Sequence, residues 1–264
     1  MNTTTFDFKD GNGPIPAHRH PNGGGWVANT ATVEQTVYIG PNATAFGKVE
    51  IFGWVRLHES SMAYGNAQIS GDVALYNNSR IFDNAEVSGN VVLRDNGSIF
   101  GYAKVSGNTC LYGNSRIFDN AEASDDVKLY GDASIFGNSK VFENATAKDY
   151  AQVFGNAKLA GEACVKEFSM VFDEAIVNGS AVIGGSSKVF GSSRTSGNVQ
   201  TYAGAQVFDN SALSGHAKIA GRYKVHENMN ISSGLHDQTI HVHLARLGGC
   251  LSIPLLIGLL IYLW

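Results

Sequence analysis

An all-β fold, a triangular parallel β-helix, is predicted for this 264-residue chain from three features of the sequence. Aliphatic residues recur every sixth position, small residues recur two positions before each of them, and aromatic residues recur at three times that interval. The first series runs Val33, Ile39, Ala45, Ile51, Leu57 and onward to Ile231. It covers 34 positions without an insertion, and Val, Ile or Leu fills 28 of them. The second begins Ala31, Val37, Ala43, Val49, Val55 and is Ala, Ser, Val or Thr at 31 of 34 positions, failing at Gly97, Tyr223 and Met229.

Two inward positions separated by one outward position describe a strand, because strand side chains alternate between faces. The remaining residues of each hexad are pairs such as Gly65-Asn66, Gly71-Asp72 and Asp83-Asn84. Gly and Asn accept positive φ and so turn a corner at little cost. A strand and a corner every six residues make one wall of a prism, and hexapeptide periodicity marks parallel β-helices. A helix is excluded, since the period is 6 rather than 3.6 and Gly-Asn at each hexad would break it.

The residue after each aliphatic position sets the number of walls. Phe46, Tyr64, Phe82, Phe100, Phe118, Phe136, Phe154, Phe172, Phe190 and Phe208 lie 18 apart without exception. A second 18-spaced row holds Ser70, Ser88, Ser106 and Ser124, and a third holds His58, Tyr76, Arg94, Tyr112 and Tyr130. Eighteen is three hexads, hence three walls. Residues 31–234 then make about 11 coils of 18 residues, a rod about 50 Å long at the spacing of neighbouring strands. Stability should add up coil by coil, with the open ends the weak points.

Four segments follow. Residues 1–30, with Gly11-Asn12-Gly13-Pro14 and Gly23-Gly24-Gly25-Trp26, form a loop-rich cap whose Trp26 covers the first coil. Residues 31–234 form the β-helix, 235–246 a capping segment, and 247–264 an apolar tail. The tail carries no charge in 18 residues. As a helix it would span about 27 Å, close to a hydrocarbon core. Arg246 before it and Tyr262 and Trp264 at its end suit interfacial anchors. The rival reading is a segment packed over the aromatic row or across the end of the prism.

Composition removes several function classes. A net charge of -4 argues against an electrostatic nucleic-acid binder. Three cysteines, Cys110, Cys164 and Cys250, exclude a dense disulfide scaffold and a four-thiolate zinc site. Cys110 and Cys164 share a wall three coils apart, about 14 Å, beyond disulfide reach. Free thiols and the lack of a secretory signal at Met1-Asn2-Thr3-Thr4-Thr5 point to a cytoplasmic protein, membrane-associated if the tail inserts.

The outward faces carry the function. The aromatic row, ten rings at one phase in a chain with 14 Phe and 10 Tyr, is the strongest signal outside the core. Rings stacked between coils would stiffen the rod. An apolar stripe of that length also marks a homo-oligomer or partner interface. Of the eight histidines, His58 stands alone on its wall, His216 occupies a corner, and His226 takes the next place after Phe208. His18 with His20, and His241 with His243, have strand spacing that puts two rings on one face, and His236 lies near the second pair. His236, His241 and His243 are weak metal candidates, and solvent-facing rings in capping segments are the preferred reading. No Ser-His-Asp arrangement, phosphate loop or paired carboxylate is defensible, and no cofactor is expected.

The runs Tyr64-Gly65-Asn66-Ala67-Gln68-Ile69-Ser70-Gly71, Ile81-Phe82-Asp83-Asn84-Ala85-Glu86-Val87-Ser88-Gly89-Asn90 and Val153-Phe154-Gly155-Asn156-Ala157 resemble the hexapeptide-repeat superfamily. Within it the chain resembles uncharacterised bacterial and phage-associated proteins, one labelled a putative acetyltransferase. The resemblance covers residues 22–243 and implies a left-handed β-helix. It also implies trimeric, acetyl-coenzyme A-dependent acyltransferases whose acceptor sites lie between subunits and use a His base; here that base would be His58. This chain departs from the pattern, because the hexads run from 33 to 231 with no catalytic loop inserted. The expectation is therefore a structural or interaction scaffold that contacts partners through the aromatic row, with acyl transfer as the alternative. The partner and any small-molecule ligand stay unassigned.

Overall fold

The chain is described by a computed structural model covering residues 4–238. Every element there is a strand, mostly two residues long. They stack into three sheets that form the walls of a left-handed parallel β-helix. We label three N-terminal strands β1 (Thr5–Phe6), β2 (Ile15–Arg19) and β3 (Trp26–Ala28). The first wall starts at β3 and ends at Lys224–Val225; the second runs from Thr32–Val33 to Asn230–Ile231; the third runs from Tyr38–Ile39 to Leu235–Asp237.

Register is 18 residues along each wall, as in Gln68↔Glu86↔Lys104. The last pairing, Lys218↔Leu235, drops to 17. There are about 12 coils. The count exceeds residue arithmetic because β3 and Leu235–Asp237 join the parallel stack at its two ends. Trp26 thus belongs to the first coil rather than lying over it. What covers that coil is the antiparallel pair β1-β2, which continues the sheet beyond β3. Phe6 stacks on Trp26 at 4.6 Å, and the Arg19 guanidinium sits 4.3 Å from the Trp26 ring.

The core is the pair of hexad series. Ile81, Leu93, Ile99, Leu111 and Ile117 are fully buried, and so are the small residues before them, such as Ala85, Val91 and Ala103. Small residues are required there because three walls converge at the corners and leave no room for bulk. At the C-terminal end the pattern loosens. Met229 and Leu235 are exposed, and Tyr223 is half-buried with its ring 5.5 Å from His236.

The corners follow one rule. Every sixth residue from Gly47 to Glu227 has φ between +47° and +89°. Glycine takes this conformation freely. At Gly107 it is also the only fit, because a Cβ would lie 2.4 Å from the Asp125 nitrogen. Where the corner residue is not glycine it is Asp, Glu or Asn, except at Ala203. Their side chains accept the N–H of the corner residue one coil on: Asp95 from Gly113 at 3.1 Å, Asp119 from Gly137 at 3.2 Å, Glu143 from Gly161 at 2.6 Å. That N–H points away from the strand ladder and has no backbone acceptor. The carboxylate therefore satisfies a donor that the regular stacking leaves over. Asn ladders add a second tie, as in Asn78–Asn96–Asn114 and Asn90–Asn108.

Candidate functional site

The aromatic row stands at the end of each first-wall strand, where the chain leaves for the corner. Each ring from Phe46 to Phe208 stacks on the next, with centroids 4.8–5.0 Å apart and planes within 8°. Parallel planes at the spacing of the coils give the offset stacking that aromatic rings prefer to a face-to-face sandwich. Both ends are closed. Phe8 of the N-terminal meander stacks on Phe46 at 4.9 Å, and His226 lies 5.6 Å from Phe208. Phe8 and Phe46 are buried, whereas the rings from Tyr64 to Phe208 are half-buried. Their faces cover one another and their outer edges meet solvent. Burial in this row pushes the Tyr64 hydroxyl above the usual phenol range.

His58 is placed in a second, shorter stack on the third wall. Its ring lies 4.7 Å from Tyr76 and parallel to it, and the Arg94 guanidinium covers the other face of Tyr76 at 4.7 Å. Tyr38 tilts over His58 at 5.1 Å, taking the place left by Gly40, the residue one coil before His58. Tyr38, Trp54, Arg56 and His58 line a groove of about 320 Å³ together with Asn22 and Thr36. Its polar groups are largely engaged: Asn22 donates to the Thr36 carbonyl, Thr36 to the Gly53 carbonyl, and Arg56 pairs with Asp72 at 2.6 Å. No carboxylate or hydrogen bond orients His58 among the described residues. The adjacent Glu59 is committed to the Asn77 amide at 2.9 Å.

Among the described residues the other histidines do not converge. His18 is exposed and bonded to Asn29 at 2.9 Å, whereas His20 is buried against Asn22. His236 bonds to the Ser233 carbonyl at 3.1 Å. His241, His243, Cys250 and the 247–264 tail lie outside the described residues, as does most of the 235–246 segment. Among the described residues no group of three or more His, Cys, Asp or Glu could hold a metal ion. Among them there is also no helix long and apolar enough to cross a membrane. Cys110 and Cys164 are unpaired and three coils apart on the third wall, and burial pushes the Cys164 thiol above the usual range.

One surface escapes the reading by residue type. The outward row of the first wall holds Arg80, Arg116, Lys188 and Lys224, with a neutral residue on every coil between. The signal was available in the sequence as cations on a 36-residue lattice. Scoring one wall at a time, not one motif at a time, would have found it.

The chain matches no family model and no curated protein. Among solved structures it is similar to a UDP-N-acetylglucosamine acyltransferase from Arabidopsis, at 14% identity over 84% of this chain and 77% of that chain. The TM-score is 0.27, and an overlap so loose carries no argument.

Proposed function

We propose that this protein is a non-catalytic interaction scaffold: a stiff β-helical rod that presents long, regular faces to a partner. The observation that carries this reading is the uninterrupted 18-residue register from Trp26 to Lys224. Every coil repeats the same three walls, and no insertion leaves the stack to close over the groove beside His58. A general base needs an oriented proton acceptor within reach of its substrate, and His58 is held by ring faces without a partner that selects its tautomer.

The contact face is the margin of the first wall along the aromatic row. One use of it is self-association, with two rods laid row to row; a solution mass above that of the 28.1 kDa chain supports this use and a monomer excludes it. The uncharged 247–264 run is the proposed membrane attachment of an otherwise cytoplasmic rod. Full-length chain should sediment with membranes and residues 1–246 should not. The scaffold reading is tested by incubating the full chain with acetyl-coenzyme A and a panel of amine and hydroxyl acceptors. No turnover is expected, and a rate abolished by His58→Ala would establish the acyltransferase alternative.

A further inference from the structure

The first and second walls treat charge differently. On the second wall the outward row mixes signs, and neighbours pair: Lys104 with Glu86 at 3.2 Å and Lys140 with Glu122 at 2.8 Å. On the first wall the row reads Arg80, Ser98, Arg116, Ser134, Gln152, Met170, Lys188, Gln206, Lys224, with no acidic residue. All four cations are exposed, and none makes an ion pair or a side-chain hydrogen bond among the described residues. They fall on alternate coils, with Gln152 as the neutral member of the series. That spaces them by about 10 Å, or by twice that across Gln152, over about 38 Å of wall.

Repulsion between neighbouring coils favours gaps between like charges. The second wall meets the same crowding with carboxylates; the third wall's row also lacks them, but its cations Arg56, Lys128 and Lys218 lie four and five coils apart and Arg56 pairs with Asp72, so the unpaired cations on alternate coils are particular to the first wall. The gaps also have shape. Arg80 and Arg116 border a single groove of about 320 Å³ that lies over Ser98, with Phe82 and Phe100 on one margin and Asn96 on the other. Near the far end, Lys224 and Gln206 border a groove of about 520 Å³ with Arg222, Ser186 and Gly204. Each groove thus sits over a neutral coil next to its cations. Amide and hydroxyl groups line it for hydrogen bonds, and in the first the aromatic row adds an apolar margin.

We infer that the first wall is a docking track for an acidic polysaccharide carrying one anionic group per disaccharide. The anionic groups meet the cations on alternate coils, and the intervening sugar lies in the groove between, its hydroxyls toward Ser98, Asn96 and Gln206. Nucleic acid fits less well, since a DNA strand places a charge every 3.4 Å or so and only every third would find a cation. This partner rests on the scaffold reading. Its failure is separable, because loss of glycan binding leaves the turnover assay unaffected, and turnover leaves the glycan result unaffected.

The test measures binding of the full chain to sodium hyaluronate, which has one carboxylate per disaccharide. The comparison ligands are polygalacturonate, with a carboxylate on every sugar, neutral dextran, and a thymidylate 30-mer. Hyaluronate should bind with an affinity that falls as salt rises. Replacing all four cations (Arg80→Gln, Arg116→Gln, Lys188→Gln, Lys224→Gln) should weaken it at least tenfold. A charge-matched variant on the other walls (Lys104→Gln, Lys128→Gln, Lys140→Gln, Lys158→Gln) should bind like the parent. Gln152→Lys should tighten binding several-fold by completing the lattice, which keeps the test alive should the fourfold variant fold poorly. No binding of hyaluronate, tighter binding of polygalacturonate or the 30-mer, or equal loss in the two fourfold variants would overturn the assignment.

Discussion

The carboxylates at the corners are open to a substitution series that separates backbone strain from hydrogen bonding. Asp119 holds φ at +58° and accepts the Gly137 N–H at 3.2 Å, a donor with no backbone partner. Asp119→Asn keeps both an acceptor and a residue that tolerates the left-handed region, so it should shift stability by less than about 0.5 kcal/mol. Asp119→Gly loses the bond, about 1 kcal/mol. It also relieves the left-handed strain, and the added freedom of the unfolded chain offsets that relief by about 0.5–1 kcal/mol. The net cost should be about 0.5–1 kcal/mol. Asp119→Ala loses the bond and raises the strain, for a cost of about 2 kcal/mol. Urea unfolding should therefore rank the midpoints Asp, Asn, Gly, Ala, with Ala lower than the parent by about half a molar or more. Two results would refute the reasoning: Gly at or above the parent, which makes the bond worthless, or Asn as low as Ala, which makes an acceptor at this place irrelevant.

Further expectations concern the ring row and the half-buried Cys164 thiol. Phe118 stacks on Phe100 and Phe136 at 4.9 Å each. Two such contacts plus the half-buried area make Phe118→Ala cost about 2–4 kcal/mol, with Phe118→Leu recovering part of it. Unchanged melting together with a drop in solution mass would show that the ring bonds to another copy instead of its own stack. Cys164 has its thiol pushed up by burial, with Lys148 and Lys166 pulling weakly the other way. Burial disfavours the thiolate, so iodoacetamide should modify Cys164 more slowly in the folded protein at pH 8 than in urea. The folded rate should keep climbing above the ordinary thiol range; equal rates at pH 8 would contradict this.

Much of the fold was legible because the geometry of a stacked coil leaves few choices. Inward positions such as Ile99 and Ala103 face packed neighbours on every side, so their character repeats without a break. Three walls followed from the rings at 18-residue intervals, whose stacking the structure bears out. The acid corners were less legible. Asp119 in sequence reads as an ordinary turn residue, and its tie to Gly137 exists only once coils are stacked. The N-terminal segment looks like a loop by its Gly and Pro content. Phe6, on β1, and Phe8, in the turn after it, become lids because the Trp26 and Phe46 rings would otherwise face water. The stack of Tyr38 on His58 was hidden for a similar reason, since the two residues are 20 apart and meet only because Gly40 leaves a gap. The shortened last coil, Lys218 to Leu235, breaks the register by one residue, and the only sign of it in the sequence is the pair Tyr223 and Met229 interrupting the small-residue series.

Removal of one whole coil tests the account most directly. Deleting residues 101–118 joins Phe100 to Asp119 at the same phase and leaves every wall, corner and row in register. The shortened chain should retain an all-β spectrum and cooperative unfolding, and small-angle scattering should show a rod shorter by about 4.8 Å. Deleting the nine residues 110–118 turns inward positions outward and should abolish folding. A chain that collapses on loss of eighteen residues, or survives loss of nine equally well, would contradict the stacked-coil account.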